Sequence, residues 1–354
     1  MTVRVLVEMH HADLYESLGM LFEDRFGWEL YRPIGMEFWD EGIWNYERHM
    51  PHGEAVARQY LQPYSTDRDC GDHFERDDDV HPGRVHKMVT LDQVRSQPFD
   101  IVLASLTENG QGLHDLARSI GAKFGIQLGN EGTVNRYDLI DFALFSTARE
   151  FFPLTAPYVT YRQEFSLKDF TYEYPPTEND LVATWVQCLP SGEEDWERFK
   201  ALAALTPELK WRHHGHCNQD SGYWRSNVKT TAEVAAQMRA ARIGLHFKRW
   251  SDGYGHVIHN LFAVGKPVVA TATYYKGKLA EPLFVDGVTS FDVQTRSNQE
   301  VTEIIRRLAF DDDFHQRISE NSAARFKEIV DFDREAEQIR AMLENVLSDR
   351  MVTA

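Results

Sequence analysis

The sequence predicts an α/β protein made of two doubly wound domains. Three observations predict it. Short β-branched and apolar runs of strand length alternate with helix-period runs in both halves, the pattern of βαβ units around a parallel sheet. A length of 354 residues suits two cores better than one. Between the halves, residues 172–180 (YEYPPTEND) are polar, proline-bearing and without periodicity, which marks a linker.

Residues 3–8 form the first apolar run, and 12–26 follow with Leu14, Leu18, Leu21 and Phe22 on one helical face. Region 31–86 reads as an insertion. It holds a helix near 54–60, packing aromatics such as Phe38 and Trp44, and an acidic run over 67–79 expected to be a mobile, solvated loop. Strands are then expected at 99–103, 123–128 and 141–146, with a helix at 113–120. Ligands of doubly wound sheets sit beyond the carboxyl ends of the strands. The polar strand ends are therefore candidates: His10 and His11, Thr107 to Asn109, and Asn130 with Glu131.

After the linker the pattern resumes as strand 181–188, helix 193–205, strand 209–214, Gly215 and helix 231–241. The most informative stretch follows. A strand at 243–247 leads to Lys248 and Arg249, then to the turn Asp252-Gly253-Tyr254-Gly255 and a helix over 256–264. Gly265-Lys266-Pro267-Val268-Val269 opens a buried strand, and Asp286-Gly287 begins a further turn. A glycine turn feeding a helix N-terminus at a strand end is an anion site, because its N–H groups are unpaired and the helix dipole favours negative charge. Helices at 299–308, 313–329 and 334–347 close the chain.

This second half resembles the donor-binding half of GT-B glycosyltransferases of the retaining family 4 type, with two departures: Asp252 and Asn260 stand where that pattern carries glutamates. The resemblance implies two Rossmann-like domains facing a cleft, 1–171 (acceptor side) and 181–330 (nucleotide-sugar side), with 331–354 crossing back to the first. It implies transfer of a sugar from a nucleotide-sugar such as UDP-glucose to an acceptor hydroxyl, retaining and metal-independent, with no resident cofactor. Asp252 would orient the donor sugar and Asn260 the ribose. Lys248, Arg249, Gly253, Tyr254, Gly255 and His256 would surround the diphosphate, and Gly215 with His216 would approach the donor from the neighbouring strand end. His10 and His11 are candidates to deprotonate the acceptor, and Asn130 and Glu131 to hold it. Two other readings stay open: a nucleotide-sugar epimerase of the same fold, and a non-catalytic GT-B binding protein.

Composition sets outer bounds. Formal net charge is −17, which disfavours nucleic acid as a partner, although a modified DNA base remains a conceivable acceptor. No run approaches the roughly 18 apolar residues of a membrane helix. Three widely spaced cysteines argue against a disulfide framework and for a cytoplasmic setting. His213, His214, His216 and Cys217 do not suggest metal, since adjacent strand residues face opposite ways. His256 and His259 are three apart on a helix and are expected to pack or cap. There is no Walker loop, dinucleotide fingerprint, His-Glu-x-x-His or nucleophile elbow.

Overall fold

The computed structural model describes residues 2–8, 12–105, 109–129, 137–147, 155–189, 192–215, 222–224, 230–249 and 252–348. The chain divides into two compact units, Met1–Phe165 with Phe332–Ala354, and Ser166–Asp331.

Unit 1 begins with β1 (Arg4–Val7), α1 (Ala12–Gly19), β2 (Glu29–Pro33), α2 (Glu37–Asp40), α3 (Gly53–Leu61), β3 (Arg68–Asp69), β4 (Phe74–Asp77) and β5 (Val85–Val89). It continues with α4 (Leu91–Ser96), β6 (Ile101–Ala104), α5 (Gly110–Ile120), β7 (Lys123–Leu128), β8 (Phe142–Phe145) and β9 (Tyr158–Thr160). One sheet results, in the order β3-β4-β5-β2-β1-β6-β7-β8-β9. Among the described residues only the β3–β4 and β4–β5 pairs are antiparallel.

Alternation of side chains along each strand sorts the core into two faces. Val5, Val7, Ile101 and Leu103 point to one face with Leu18 and Phe22. Leu6, Val102 and Ala104 point to the other, under Leu113, Phe38 and Trp44.

Region 31–86 does not stand wholly outside the parallel sheet. Its two ends are strands of the parallel sheet, with β2 paired to β1 and β5 paired to β2. The apolar signal of β2 is broken by Arg32, which is nonetheless buried, so the periodicity conceals the strand. The acidic run is likewise ordered. Arg76 pairs with Asp67 at 2.6 Å and Arg68 with Asp77 at 2.9 Å across the β3–β4 hairpin, while Asp78 meets His86 at 2.8 Å and His81 at 3.0 Å. Basic residues interleaved with the acids turn a run that looks solvated into a paired edge.

Unit 2 comprises β10 (Glu178–Thr184), α6 (Glu193–Leu205), β11 (Lys210–His213), α7 (Thr231–Ala240), β12 (Ala241–His246), α8 (His256–Ala263), β13 (Val268–Ala270), β14 (Ser290–Asp292), α9 (Asn298–Phe310) and α10 (Asp312–Ile329). Its five strands are all parallel, in the order β11-β10-β12-β13-β14. Val182, Ile243, Leu245 and Val269 pack beneath Phe199 of α6 and Ile305 of α9. Capping boxes at Thr230 and Ser297 start α7 and α9. The last helix, α11 (Phe332–Ser348), packs in unit 1, where Ile339 and Leu343 join the Val5 face.

Cys188 is disulfide-bonded, against the expectation of free thiols, whereas Cys70 is free and exposed. Spacing along the chain does not report which sulfurs are close in space. Among the described residues no helix is long and apolar enough to cross a membrane.

Candidate functional site

Strand order in unit 2 reverses between β10 and β12, so the crevice for a ligand lies beyond their carboxyl ends. The last residue of β12 is His246, followed by Lys248 and Arg249. The turn 252–255 then delivers α8. Its N-cap, Gly255, has φ +76°, a left-handed conformation that glycine adopts without steric cost, and α8 starts without a side-chain cap. Those N–H groups and the helix dipole make its start attractive to an anion.

Asp252 is the hub of this corner. Its Oδ1 accepts from the Gly255 N–H at 3.0 Å and closes the turn. Its Oδ2 accepts from the Tyr275 hydroxyl at 2.6 Å, with His246 Nε2 at 3.0 Å and Lys248 Nζ at 4.0 Å. His246 Nε2 also lies 2.8 Å from the Tyr275 hydroxyl. Tyr274 accepts from the Asp252 N–H at 3.3 Å, and Lys278 Nζ donates to the Asp252 carbonyl at 3.1 Å while sitting over the Tyr274 ring. Burial alone would raise the Asp252 carboxyl, but His246, Lys248 and Tyr275 outweigh it and hold it well below the usual carboxylate range. Burial and the Asp252 charge push the Tyr275 phenol well above its ordinary value.

Both Asp252 oxygens are therefore engaged by the protein, and the geometry gives this residue the work of fixing the turn. Arg249 is likewise engaged by protein groups. It pairs with Glu194 at 2.6 Å and Asp195 at 2.9 Å, which neutralise its charge. Separated from Arg249 by more than 50 residues, these acids of the first α6 turn could not be seen as its partners in the sequence. Tyr254 is buried and stacks on His259, with ring centroids 4.4 Å apart, and lies 5.8 Å from the His256 ring. His259 Nδ1 meets the Gly255 carbonyl at 3.0 Å, which is the packing and capping role expected of it. Gly253, also buried, lies in the same turn.

Asn260 is buried on α8, and its Oδ1 has no hydrogen-bond partner among the described residues. Gly215 is a glycine for packing. A Cβ there would lie 2.4 Å from the Gln187 carbonyl oxygen, so its missing side chain admits protein backbone rather than ligand. His213 is buried against the Val186 carbonyl and His214 stacks on Trp185. His10, His11, Thr107, Glu108, Asn130, Glu131, His216 and Cys217 lie outside the described residues.

A cleft of about 830 Å³ opens beside this corner, lined by Glu194 and Arg198 of α6, by Arg249, and by Arg296, Ser297 and Asn298 at the start of α9. In unit 1 the strand order reverses between β1 and β6. There Glu8, 2% exposed, accepts from the Ser105 N–H at 3.2 Å. Glu8, Arg198, His246, Tyr275, Lys278 and Arg296 were not singled out by the sequence. Only Glu8 carried a signal, as a charge ending an apolar run.

No family model matches the chain, and no curated protein does. Solved structures do. Anabaena HepE in complex with UDP and glucose aligns with a TM-score of 0.64 at 12% identity, covering 97% of this chain and 100% of that one. The pneumococcal O-GlcNAc transferase GtfA aligns at 0.62 and 11% identity over 98% and 99%. Sucrose-phosphate synthase from Thermosynechococcus elongatus aligns at 0.63 and 10% over 98% and 100%. The chain has the GT-B glycosyltransferase fold. In this GT-B chain polar groups sit at the carboxyl ends of parallel strands in both units, buried His246 beside the half-buried Asp252 in unit 2 and buried Glu8 in unit 1.

Proposed function

We propose that the chain is a glycosyltransferase that moves a sugar from a nucleotide-sugar to an acceptor hydroxyl, with retention at the anomeric carbon. One observation carries this reading. Lys248, the uncapped start of α8 and the orphan Oδ1 of Asn260 belong to one turn-and-helix segment at the carboxyl end of β12, in a fold whose solved relatives include complexes with UDP and UDP-glucose.

In the proposed chemistry, the α8 N-terminus and the Lys248 ammonium stabilise the charge that develops on the departing diphosphate. Asn260 Oδ1 accepts from a ribose hydroxyl, which satisfies an acceptor whose burial without a partner costs about 1–3 kcal/mol. Asp252 acts on the donor indirectly, by holding His246, Tyr275 and the Gly255 N–H in place.

Thermal unfolding with UDP, GDP, ADP and UDP-glucose tests the reading, because a ligand of the folded state raises its stability. UDP and UDP-glucose are expected to raise the midpoint. No shift with any nucleoside diphosphate or nucleotide-sugar would overturn the donor site. Binding of UDP-glucose without transfer or hydrolysis would favour a binding protein, and an isomerised sugar an epimerase.

A further inference from the structure

We propose that the β3–β4 hairpin carries a site for a borderline-soft divalent cation, Zn²⁺ by preference, with Cys70 Sγ, His73 Nε2 and Glu75 Oε1 as its protein ligands. The site lies in unit 1, apart from the donor corner, and does not depend on the glycosyltransferase reading.

Sequence and pairing place these three groups together. The Cys70 N–H donates to the His73 carbonyl at 2.9 Å, closing a hairpin whose loop is Gly71-Asp72, with Gly71 at φ +90°. Cys70 and His73 are thus cross-strand neighbours on one face, and Glu75, two residues after His73, returns to that face. One ligand atom from each of the three residues lies within 4.8 Å of the other two. His73 Nε2 is 3.5 Å from Glu75 Oε1, close to the ~3.3 Å between two ligands of a tetrahedral zinc with ~2.0 Å bonds.

A second observation singles out this cluster. His73 Nδ1 is 2.7 Å from Asp72 Oδ1, which holds the proton on Nδ1 and leaves the Nε2 lone pair free for a metal. That Nε2 is buried and makes no hydrogen bond among the described residues. The imidazole is further fixed by an edge contact with Tyr31, at 5.9 Å between ring centroids. A carboxylate–histidine pair aimed at a thiol and a second carboxylate is a metal-ligating arrangement. Glu75 is also within 3.4 Å of Arg68, but through Oε2, and Arg68 has its closer partner in Asp77. The cluster of Glu16, Asp78 and His81 differs, because Glu16 is held by Arg84 and Asp78 by two histidines.

Cys70 is exposed, so its thiol proton can pass to solvent. Metal binding releases that proton, and the cation balances the charges of the thiolate, Glu75 and Asp72. The cation cross-links the two strands and leaves a fourth position to solvent.

Chelator-treated full-length protein, titrated with Co²⁺ and Zn²⁺, tests the proposal. One Co²⁺ per chain with a thiolate-to-cobalt charge-transfer band in the near ultraviolet is expected, displaced by Zn²⁺. Cys70→Ser should abolish the band, and His73→Ala should weaken Zn²⁺ at least tenfold, each with unchanged circular dichroism. Asp72→Asn should weaken Zn²⁺ roughly ten- to a hundredfold while keeping the band. Absence of a thiolate band in the unaltered protein, or a band that survives Cys70→Ser, would overturn the assignment. So would Zn²⁺ binding that is indifferent to His73→Ala but lost in His81→Ala.

Discussion

The Tyr275 hydroxyl donates to Asp252 Oδ2 at 2.6 Å, joining the glycine turn before α8 to the segment after β13. With His246 at the same oxygen and the Gly255 N–H at the other, the carboxylate ties three pieces of backbone together. Turn geometry and anion site therefore depend on one carboxylate.

Asp252→Asn should then lower the unfolding free energy by about 1–3 kcal/mol, because an amide nitrogen cannot accept from Tyr275. Chemical denaturation without ligand measures it. Unchanged stability with reduced sugar transfer would return Asp252 to direct contact with the donor.

Lys248 and Arg249 should separate cleanly. Lys248→Ala should weaken UDP by more than tenfold, about 1.4 kcal/mol, with little effect on folding. Arg249→Ala should instead cost about 3 kcal/mol of stability, because it strands Asp195, whose side chain is 3% exposed, without its guanidinium. Calorimetry for UDP and urea unfolding on both variants decide this. Equal UDP affinity in Lys248→Ala would remove that residue from the site.

His315 predicts a loss of stability in mild acid. It is fully buried, with Nε2 2.8 Å from the Arg242 carbonyl oxygen, and burial pulls its pKa down to about 4. The unfolded chain binds a proton near pH 6.5 that the folded chain refuses until about pH 4. The contribution is complete above pH 6.5 and is lost as the pH falls toward 4. His315→Gln should flatten that part of the stability curve. A curve identical to that of the unaltered protein would refute the assignment.

Lys266 acts the same way at higher pH. Its ammonium is buried and donates to the carbonyls of Arg239 at 2.7 Å and Ala241 at 2.9 Å. Burial, then the charges of Arg242 and Arg239, pull its pKa down to about 7 from 10.5. Stability should rise as the pH climbs from about 7 toward 10, where the unfolded chain still holds the proton. Lys266→Met should remove that rise, measured by urea unfolding at stepped pH.

The sequence by itself determined the α/β class and the order of elements through unit 2, because Ile243, Leu245, Val268 and Val269 write their burial as continuous apolar runs. It also located the glycine turn, since only a residue free at positive φ suits Gly255. Tertiary structure decided the rest. β2 was hidden by Arg32 and Pro33, whose tolerance depends on neighbours distant in the chain. The ordered acidic hairpin depended on which arginine meets which carboxylate. The roles of Asp252 and Arg249 turned on Tyr275 and Asp195, 23 and 54 residues away. Periodicity records which face of an element is dry, whereas the partner of a buried charge is set by the folding of separate segments onto one another.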